Sequence, residues 1–453
     1  MAKQNYDAVV VGSGIGGIGA GALLAHWGYK TLVVEKLDAM AGRWSNYKYE
    51  GFWIPAGALA ILYHGTETEE IFKEVGAEAE LVRVPQVFYR IGGKDWEMPV
   101  KGAIGAMIEI IEKLDQERAR KTGTPRTIDK DKVNNAFRTG IQERDKLGDI
   151  LLKDWLLKYT DNEMAHGMFD TITNTICAGH SYEVQAAGFF SFLVVSRGFR
   201  DVSIAPKGNL PNTENLAKVV RANGDVWTNC PAKRIVVEGG RAKGVVVEKD
   251  GKELEITSRV VISDAGPKQT VRLAGESNFT EDYLSMVRLK HRPHPVTMCF
   301  VASDRPIWPE DGSPAYQMIV GARRITSVVP LSNISPHFAP KGQYLTFCFT
   351  GPVSNEVHMN PEVEKEQILL DLKEQFPLFE KHGRVLKMVF KDIDDDLPEM
   401  HARVGQGMPS ETPIKNLYNV GDGFGPQGYS GSNCATGSAK RVAVAIRNSI
   451  KPR

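Results

Sequence analysis

The chain has 453 residues, 42% hydrophobic and 25% charged, with 44 glycines, which is length enough for two packed domains and a composition that fits an ordered α/β protein rather than a disordered one. A formal charge of +1, from 56 basic and 55 acidic side chains, leaves no net field to recruit nucleic acid or an anionic membrane. The five cysteines are far apart and odd in number, which fits a reducing cytoplasm better than a disulfide framework.

In chain order, the N-terminus lacks the charged-then-apolar layout of a signal segment, because glycines interrupt the apolar run from Gly12 onward. No apolar stretch reaches the roughly 20 residues of a spanning helix. Residues 6–11 read as a buried strand that runs into Gly12-Ser13-Gly14-Ile15-Gly16-Gly17, with G-x-G-x-x-G at Gly12, Gly14 and Gly17. Ala20, Ala22, Leu23, Leu24 and Ala25 continue as a helix, Gly28 ends it, and Thr31–Val34 form a second strand closing with Glu35. Each glycine has a mechanical role: Gly12 allows the turn, Gly14 lets the backbone touch a pyrophosphate, and Gly17 lets helix and strand pack closely. Glu35 falls near the spacing of about 20 residues at which an acid binds a ribose hydroxyl, which favours FAD or NAD over NADP.

The next segment decides between the two. Glu35-Lys36 leads to Gly42-Arg43-Trp44 and then to 51–58, ending in Gly57-Ala58. This stretch resembles the flavin-binding region of the phytoene desaturase and flavin amine oxidase superfamily, where E-K, G-G-R and G-F-x-x-D-x-G follow one another. The resemblance implies that Arg43 lies beside the flavin phosphates and ring, and that the backbone at Gly57 and Ala58 passes the ring. Lys36, Gly42 and Trp44 join the expected cofactor site. Ala41 stands where the family has the first glycine of G-G-R, and Pro55 where it has an aspartate.

Residues 65–205 do not fit a nucleotide fold and read as the first half of a substrate cap. Helices are expected at 147–157, 164–176 and 183–195, separated by Thr160-Asp161, Gly179 and Gly198, with 189–195 buried. The charged stretch 109–132 reads as a solvated helix and loop. After Pro206-Lys207-Gly208 comes an amphipathic helix, then strands 226–230 and 234–238, expected to pair, and 260–265. The superfamily shows the same order, and there a residue at the position of Ala232 meets the adenine end through its backbone.

The second half of the cap, 268–397, reads as sheet at 296–301, 316–320 and 344–349. Asn360 caps a helix that begins at Pro361, buries Ile368, Leu369, Leu372 and Phe376, and stops at Pro377. His291 and His294 are spaced like metal ligands, but Pro293 and Pro295 preclude a ligand helix, and the run 392–396 lacks the glycine and distal acid of a calcium loop; no metal is expected.

Near the C-terminus, 416–420 reads as a strand ending in Gly421-Asp422, followed by small or polar residues to 435 and a helix over 436–447. The resemblance gives Gly421 and Asp422 the ribityl and phosphate side, and Tyr429, Ser430 and Asn433 the ring side. Gly423, Gly425 and Gly428 repeat G-x-G-x-x-G, but no acid follows Asp422, so a second dinucleotide site is rejected. Gly405-Gln406-Gly407-Met408-Pro409 is similar to the carotenoid desaturase, carotenoid isomerase and retinol saturase branch.

The expected fold is therefore α/β: a discontinuous Rossmann-like FAD domain from 1–64, 206–267 and 398–453, with an α+β cap from 65–205 and 268–397. The expected function is FAD-dependent desaturation of an apolar isoprenoid or alicyclic substrate by hydride transfer to the flavin. A redox-neutral isomerase, a saturase using reduced FAD, an amine oxidase and a flavin-free prenyl-protein escort are the alternatives. Tyr63, His64 and Tyr429 are the candidates for proton handling or substrate contact. FAD is expected to bind non-covalently, with Cys434 a small buried thiol. The expected partners are the apolar substrate and an external electron acceptor. Cytoplasmic location, peripheral membrane contact and homo- or hetero-oligomers all fit the chain.

Overall fold

A computed structural model describes residues 4–84, 86–99, 102–197, 202–291, 293–308, 316–351, 354–395, 397–398 and 400–453. Gly198, expected as a separator in the cap, and Asp396 of the acidic run lie outside the described residues.

The first layer is built on β1 (Gln4–Val11), which passes through the glycine turn into α1 (Ile15–His26) and returns as β2 (Thr31–Val34). Later segments add α2 (Leu210–Ala222), β3 (Gly224–Trp227), β4 (Ala232–Glu238), β5 (Arg241–Lys249), β6 (Lys252–Ser263), β7 (Leu417–Asn419) and α3 (Gly431–Ser449). The strands lie in the order β3-β2-β1-β6-β5-β4, and β7 pairs with the end of β6. Strands β3, β2, β1, β6 and β7 run parallel, while β4 and β5 form antiparallel pairs. Side chains alternate across the strands, so Ala8, Val10, Val33, Val260 and Ile262 pack against α1, α2 and α3. Val9, Leu32, Val34 and Val261 face the opposite layer. A parallel sheet covered on both sides explains why β1 and β2 are continuous apolar runs. Helix α1 is buried from Ile15 to Ala25, as an all-apolar helix must be.

Three expectations need correction here. Strand β3 pairs with β2, not with β4, whose partner is β5. Alternating apolar residues specify a strand but not its neighbour; here Asn229, in the left-handed region at φ 49°, turns the chain away from β3 before β4 begins. Helix α3 starts at Gly431 rather than 436, because polar Ser432 and Asn433 form its first turn after the extended Ser430. Helices Glu67–Glu74, Pro267–Ala274 and Glu281–Lys290, expected in the cap, bury Ile71 and Phe72, and Leu273, Tyr283 and Val287, against the first sheet.

The cap contains a second sheet, in the order Gly383–Lys391, Val296–Ser303, Tyr344–Thr350, Ile325–Pro330, Tyr316–Val320, Val87–Ile91, Lys94–Met98. One face packs on helices Ala103–Thr122, Lys130–Gln142, Leu152–Leu157, Glu163–Cys177 and Ala186–Val195. Phe137 stacks on Phe169 at 4.8 Å in this core, with Trp155, Phe189 and Phe190 around it. The other face packs on Pro361–Gln375, with Ile368, Leu372 and Phe376 fully buried and Asn360 accepting from the amides of Glu362 and Val363. The stretch 109–132 is not simply solvated. Ile110, Ile111 and Ile128 are buried, and buried Asp115 accepts from the amides of Thr127 and Ile128 to fold the following loop onto the helix. Among the described residues, no helix is long and apolar enough to cross a membrane.

Candidate active site

The parallel strands β1, β2, β6 and β7 all end on one side of the first sheet, where open α/β sheets bind ligands. A cavity of about 460 Å³ lies there. Gly12 turns the chain at φ 98°, and α1 begins at once behind Gly14; the Asp264 carboxyl takes the Gly17 amide, and the earlier N–H groups at the positive dipole end remain for an anion. A side chain on Gly17 would collide with the Gly12 carbonyl oxygen, and one on Gly14 with the Asp264 carboxyl. The two glycines thus serve close helix–strand packing and a bare backbone approach.

Glu35, at the end of β2, accepts from the Ser13 amide at 2.9 Å and hydroxyl at 2.6 Å, and from the Leu37 amide at 3.0 Å. These bonds fix the carboxylate at the cavity wall, where its remaining lone pairs can meet a sugar hydroxyl.

On the opposite wall Arg43 grips Asp422 with both arms, Nη1 to Oδ2 at 2.7 Å and Nη2 to Oδ1 at 2.9 Å. The His401 ring Nδ1 lies 2.7 Å from Asp422 Oδ1. Burial alone would raise the Asp422 carboxyl, but Arg43 and His401 outweigh it and hold the group well below the usual carboxylate range. Asp264, at the end of β6, is the opposite case. Burial pushes its carboxyl up to about 8, in spite of a bond from the Gly17 amide, with Asp422 adding to the rise.

A second cavity, of about 140 Å³, shares Ala58, Met400, Gly431 and Ser432 with the first. Leu59, Leu62, Ile176, Phe192, Val329, Phe347 and Phe349 make most of its wall, and no charged side chain among the described residues lines it. The buried Tyr316 hydroxyl bonds to Ser327, and burial pushes its ionisation up to about 12. Among the described residues, Thr175 Oγ1 and Asn433 Oδ1 have no hydrogen-bond partner.

The structure brings Gly12, Ser13, Gly14, Ile15, Gly16, Glu35, Lys36, Gly42, Arg43, Trp44, Ala58, Ala232, Gly421 and Asp422 onto the first cavity, with Gly17 just behind it. Gly57, Ser430 and Asn433 line the second. Tyr63, His64 and Tyr429 line neither. Tyr63 packs edge-on against Phe72, and the His64 side chain is 54% exposed with Nδ1 3.5 Å from Glu69. Both are carried outward by the turn into helix Glu67–Glu74. Tyr429 donates to Glu67 at 2.7 Å under the Arg441 guanidinium, on the far side of the extended Ser430. His294 is a structural residue: it is buried, bonds to the Ala178 carbonyl, and lies 2.9 Å from the Asn355 amide nitrogen.

Asp264, His401, Thr175 and Tyr316 are additions to the expected site. Asp264 was within reach of the strand-end logic applied to Glu35 and Asp422. The others carry no local signal, since they converge only when the cap folds onto the first sheet.

The first cavity fits an extended flavin dinucleotide. Pro231 and Ala232 close one end, the N-terminus of α1 and the bare Gly14 stand at the centre, and Ala58 and the acid-free first turn of α3 form the other end.

A sequence profile of the family described as flavin containing amine oxidoreductase matches residues 15–447. An uncharacterized protein of Methanocaldococcus jannaschii is 24% identical over 430 residues, 91% of this chain and 92% of the relative. The crystal structure of an oxidoreductase from Methanosarcina mazei superposes with a TM-score of 0.82 at 24% identity, covering 96% of this chain and 99% of that one. All-trans-retinol 13,14-reductase of Danio rerio is 25% identical over 303 residues, 58% of this chain and 48% of the reductase.

Proposed function

Since the chain belongs to the flavin containing amine oxidoreductase family and is an FAD-dependent oxidoreductase, we propose that it dehydrogenates an uncharged, apolar substrate of isoprenoid or alicyclic type. The observation that supports this reading is the second cavity. It adjoins the end of the cofactor cavity expected to take the ring, sharing Ala58, Met400, Gly431 and Ser432 with it, and its wall is mostly apolar and uncharged among the described residues. An ammonium group placed there would be a buried charge without a counterion, a costly arrangement.

Bound FAD supplies the hydride acceptor. The protein's share is placement. The N-terminus of α1 and the Gly14 backbone hold the anionic centre of the cofactor, and Glu35 holds a sugar hydroxyl. Arg43, locked by Asp422 and His401, fixes the cradle wall at the phosphate side. Phe192, Phe347 and Phe349 exclude water from the substrate and hold its C–H bond near the ring end. In the second cavity the only titratable side chain among the described residues is Tyr316, whose hydroxyl stays protonated at neutral pH.

Anaerobic mixing of the holoprotein with a panel of alicyclic and short isoprenoid compounds tests the reading. Bleaching of the oxidised flavin by members of this panel, with a product two hydrogens lighter, is expected. Bleaching by primary amines alone would overturn it.

A further inference from the structure

We propose that Thr175 and Asn433 form a polar hook that selects a compact, uncharged substrate bearing a hydroxyl group. This rests on the reading of the second cavity as the substrate site and adds to it the chemistry of recognition.

Asn433 is 4% exposed, sits in the first turn of α3, and has no partner for Oδ1 among the described residues. Thr175 comes from helix Glu163–Cys177 of the cap, and its Oγ1 is likewise unpartnered. The two residues reach the same cavity from the two halves of the molecule. Their state is not imposed by the local helix. On the same helix, Thr171 and Thr173 turn their hydroxyls back to the carbonyls of Gly167 and Phe169, at 3.0 and 2.6 Å, whereas Thr175 does not. Buried polar atoms are almost always paired, so two orphans among the residues of one mostly apolar wall, which also carries the bonded Tyr316–Ser327 pair, Ser430 and Ser432, point to a ligand that completes them.

The atom types state which ligand. An amide oxygen only accepts, so Asn433 Oδ1 needs a donor; a threonine hydroxyl donates or accepts, so Thr175 is satisfied by either. A hydroxyl group therefore serves both residues, a carbonyl serves Thr175 alone, and a hydrocarbon leaves both unpaired. The volume sets the size. A dry cavity of about 150 Å³ takes a molecule the size of benzene, so about 140 Å³ suits a single ring or a branched unit.

The probes are cyclohexanol, cyclohexanone, methylcyclohexane and cyclohexylamine, added to the FAD-loaded protein while the flavin absorbance is followed. Cyclohexanol is expected to perturb the spectrum at about ten-fold lower concentration than methylcyclohexane, the value of one good hydrogen bond, with cyclohexanone between them. Thr175→Val and Asn433→Leu, near-isosteric changes, are each expected to weaken cyclohexanol and to leave or improve methylcyclohexane. Equal binding of alcohol and hydrocarbon to the unaltered protein overturns the hook while the apolar site stands. Loss of FAD from Asn433→Leu also overturns it, by making Asn433 a cofactor contact. Perturbation by cyclohexylamine alone overturns the apolar-substrate reading itself, and the hook with it.

Discussion

Arg43 and Asp422 stand 379 positions apart in the chain and meet in a two-armed ion pair, 2.7 and 2.9 Å long, on the wall of the cofactor cavity. Asp422 is the buried partner and Arg43 keeps 21% of its side chain exposed. Removing one partner of a buried pair costs about 3–5 kcal/mol because the other charge is stranded. His401 still touches Asp422 and Arg43 is partly solvated, so Arg43→Ala is expected at the lower end, about 3 kcal/mol, in urea denaturation of the apoprotein. Arg43→Lys keeps the charge but loses the fork, and is expected to recover only part of the loss.

Asp264 gives the apoprotein a pH dependence of unusual sign. Its folded pKa, about 8, lies above the unfolded value near 4, so the folded state holds a proton that the unfolded state has released. The contribution is complete below about pH 4 and is lost as pH rises through about 8. Asp422, held low, acts the other way and loses its contribution only on acidification. Burial holds His291 and His294 down to about 3 and 4, so below about pH 6.5 they impose the opposite slope, and the Asp264 slope stands clear only between about pH 7 and 8. Between about pH 7 and 8 denaturation midpoints are expected to fall with rising pH in the unaltered apoprotein and to flatten in Asp264→Asn.

Gly14→Ala separates the two roles of the glycine turn. The backbone at Gly14, φ −55° and ψ 166°, is open to any residue, so the new methyl acts through space alone, against Asp264. Overpacking of this kind costs about 1–3 kcal/mol. Adding Asp264→Ala is expected to restore folding without restoring FAD binding, because the methyl still stands where the backbone should meet the anion. Thermal melts with and without FAD read both effects.

Ala41 departs from the G-G-R pattern, and its φ of 75° is one that glycine adopts freely. The strain of an L-residue there is about 1–2 kcal/mol. Ala41→Gly relieves it but gives up a buried methyl, about 0.8 kcal/mol, and loosens the unfolded chain by about 0.4–1 kcal/mol. The terms nearly cancel, and a stability change within about 1 kcal/mol of zero is expected. Ala41→Val, β-branched in the same conformation, is expected to lose clearly more.

The cofactor half of the site was legible because its geometry is local. A strand, a glycine turn and an acid at fixed spacing must converge at the end of a parallel sheet, so Gly12, Gly14 and Glu35 follow from order along the chain, whereas Asp422 came from the resemblance of its Gly-Asp turn. The substrate half was not. Thr175 lies on a helix of the cap and Tyr316 on a strand of its sheet, and nothing within ten residues of either marks them. Tyr63 and His64 misled for the complementary reason: proximity in sequence to Ala58 suggested the site, whereas helix Glu67–Glu74 starts three residues beyond His64 and carries both outward. Partner choice between strands was equally silent, so β3 joined β2 instead of β4.

One extended dinucleotide is expected to span Ala232, the α1 N-terminus and the first turn of α3. Calorimetric titration of the apoprotein with FAD and with FMN tests this most directly. One FAD per chain is expected to bind, and FMN, which lacks the adenosine expected at Ala232, is expected to bind far more weakly and to be displaced by FAD. Equal affinity for the two would contradict it.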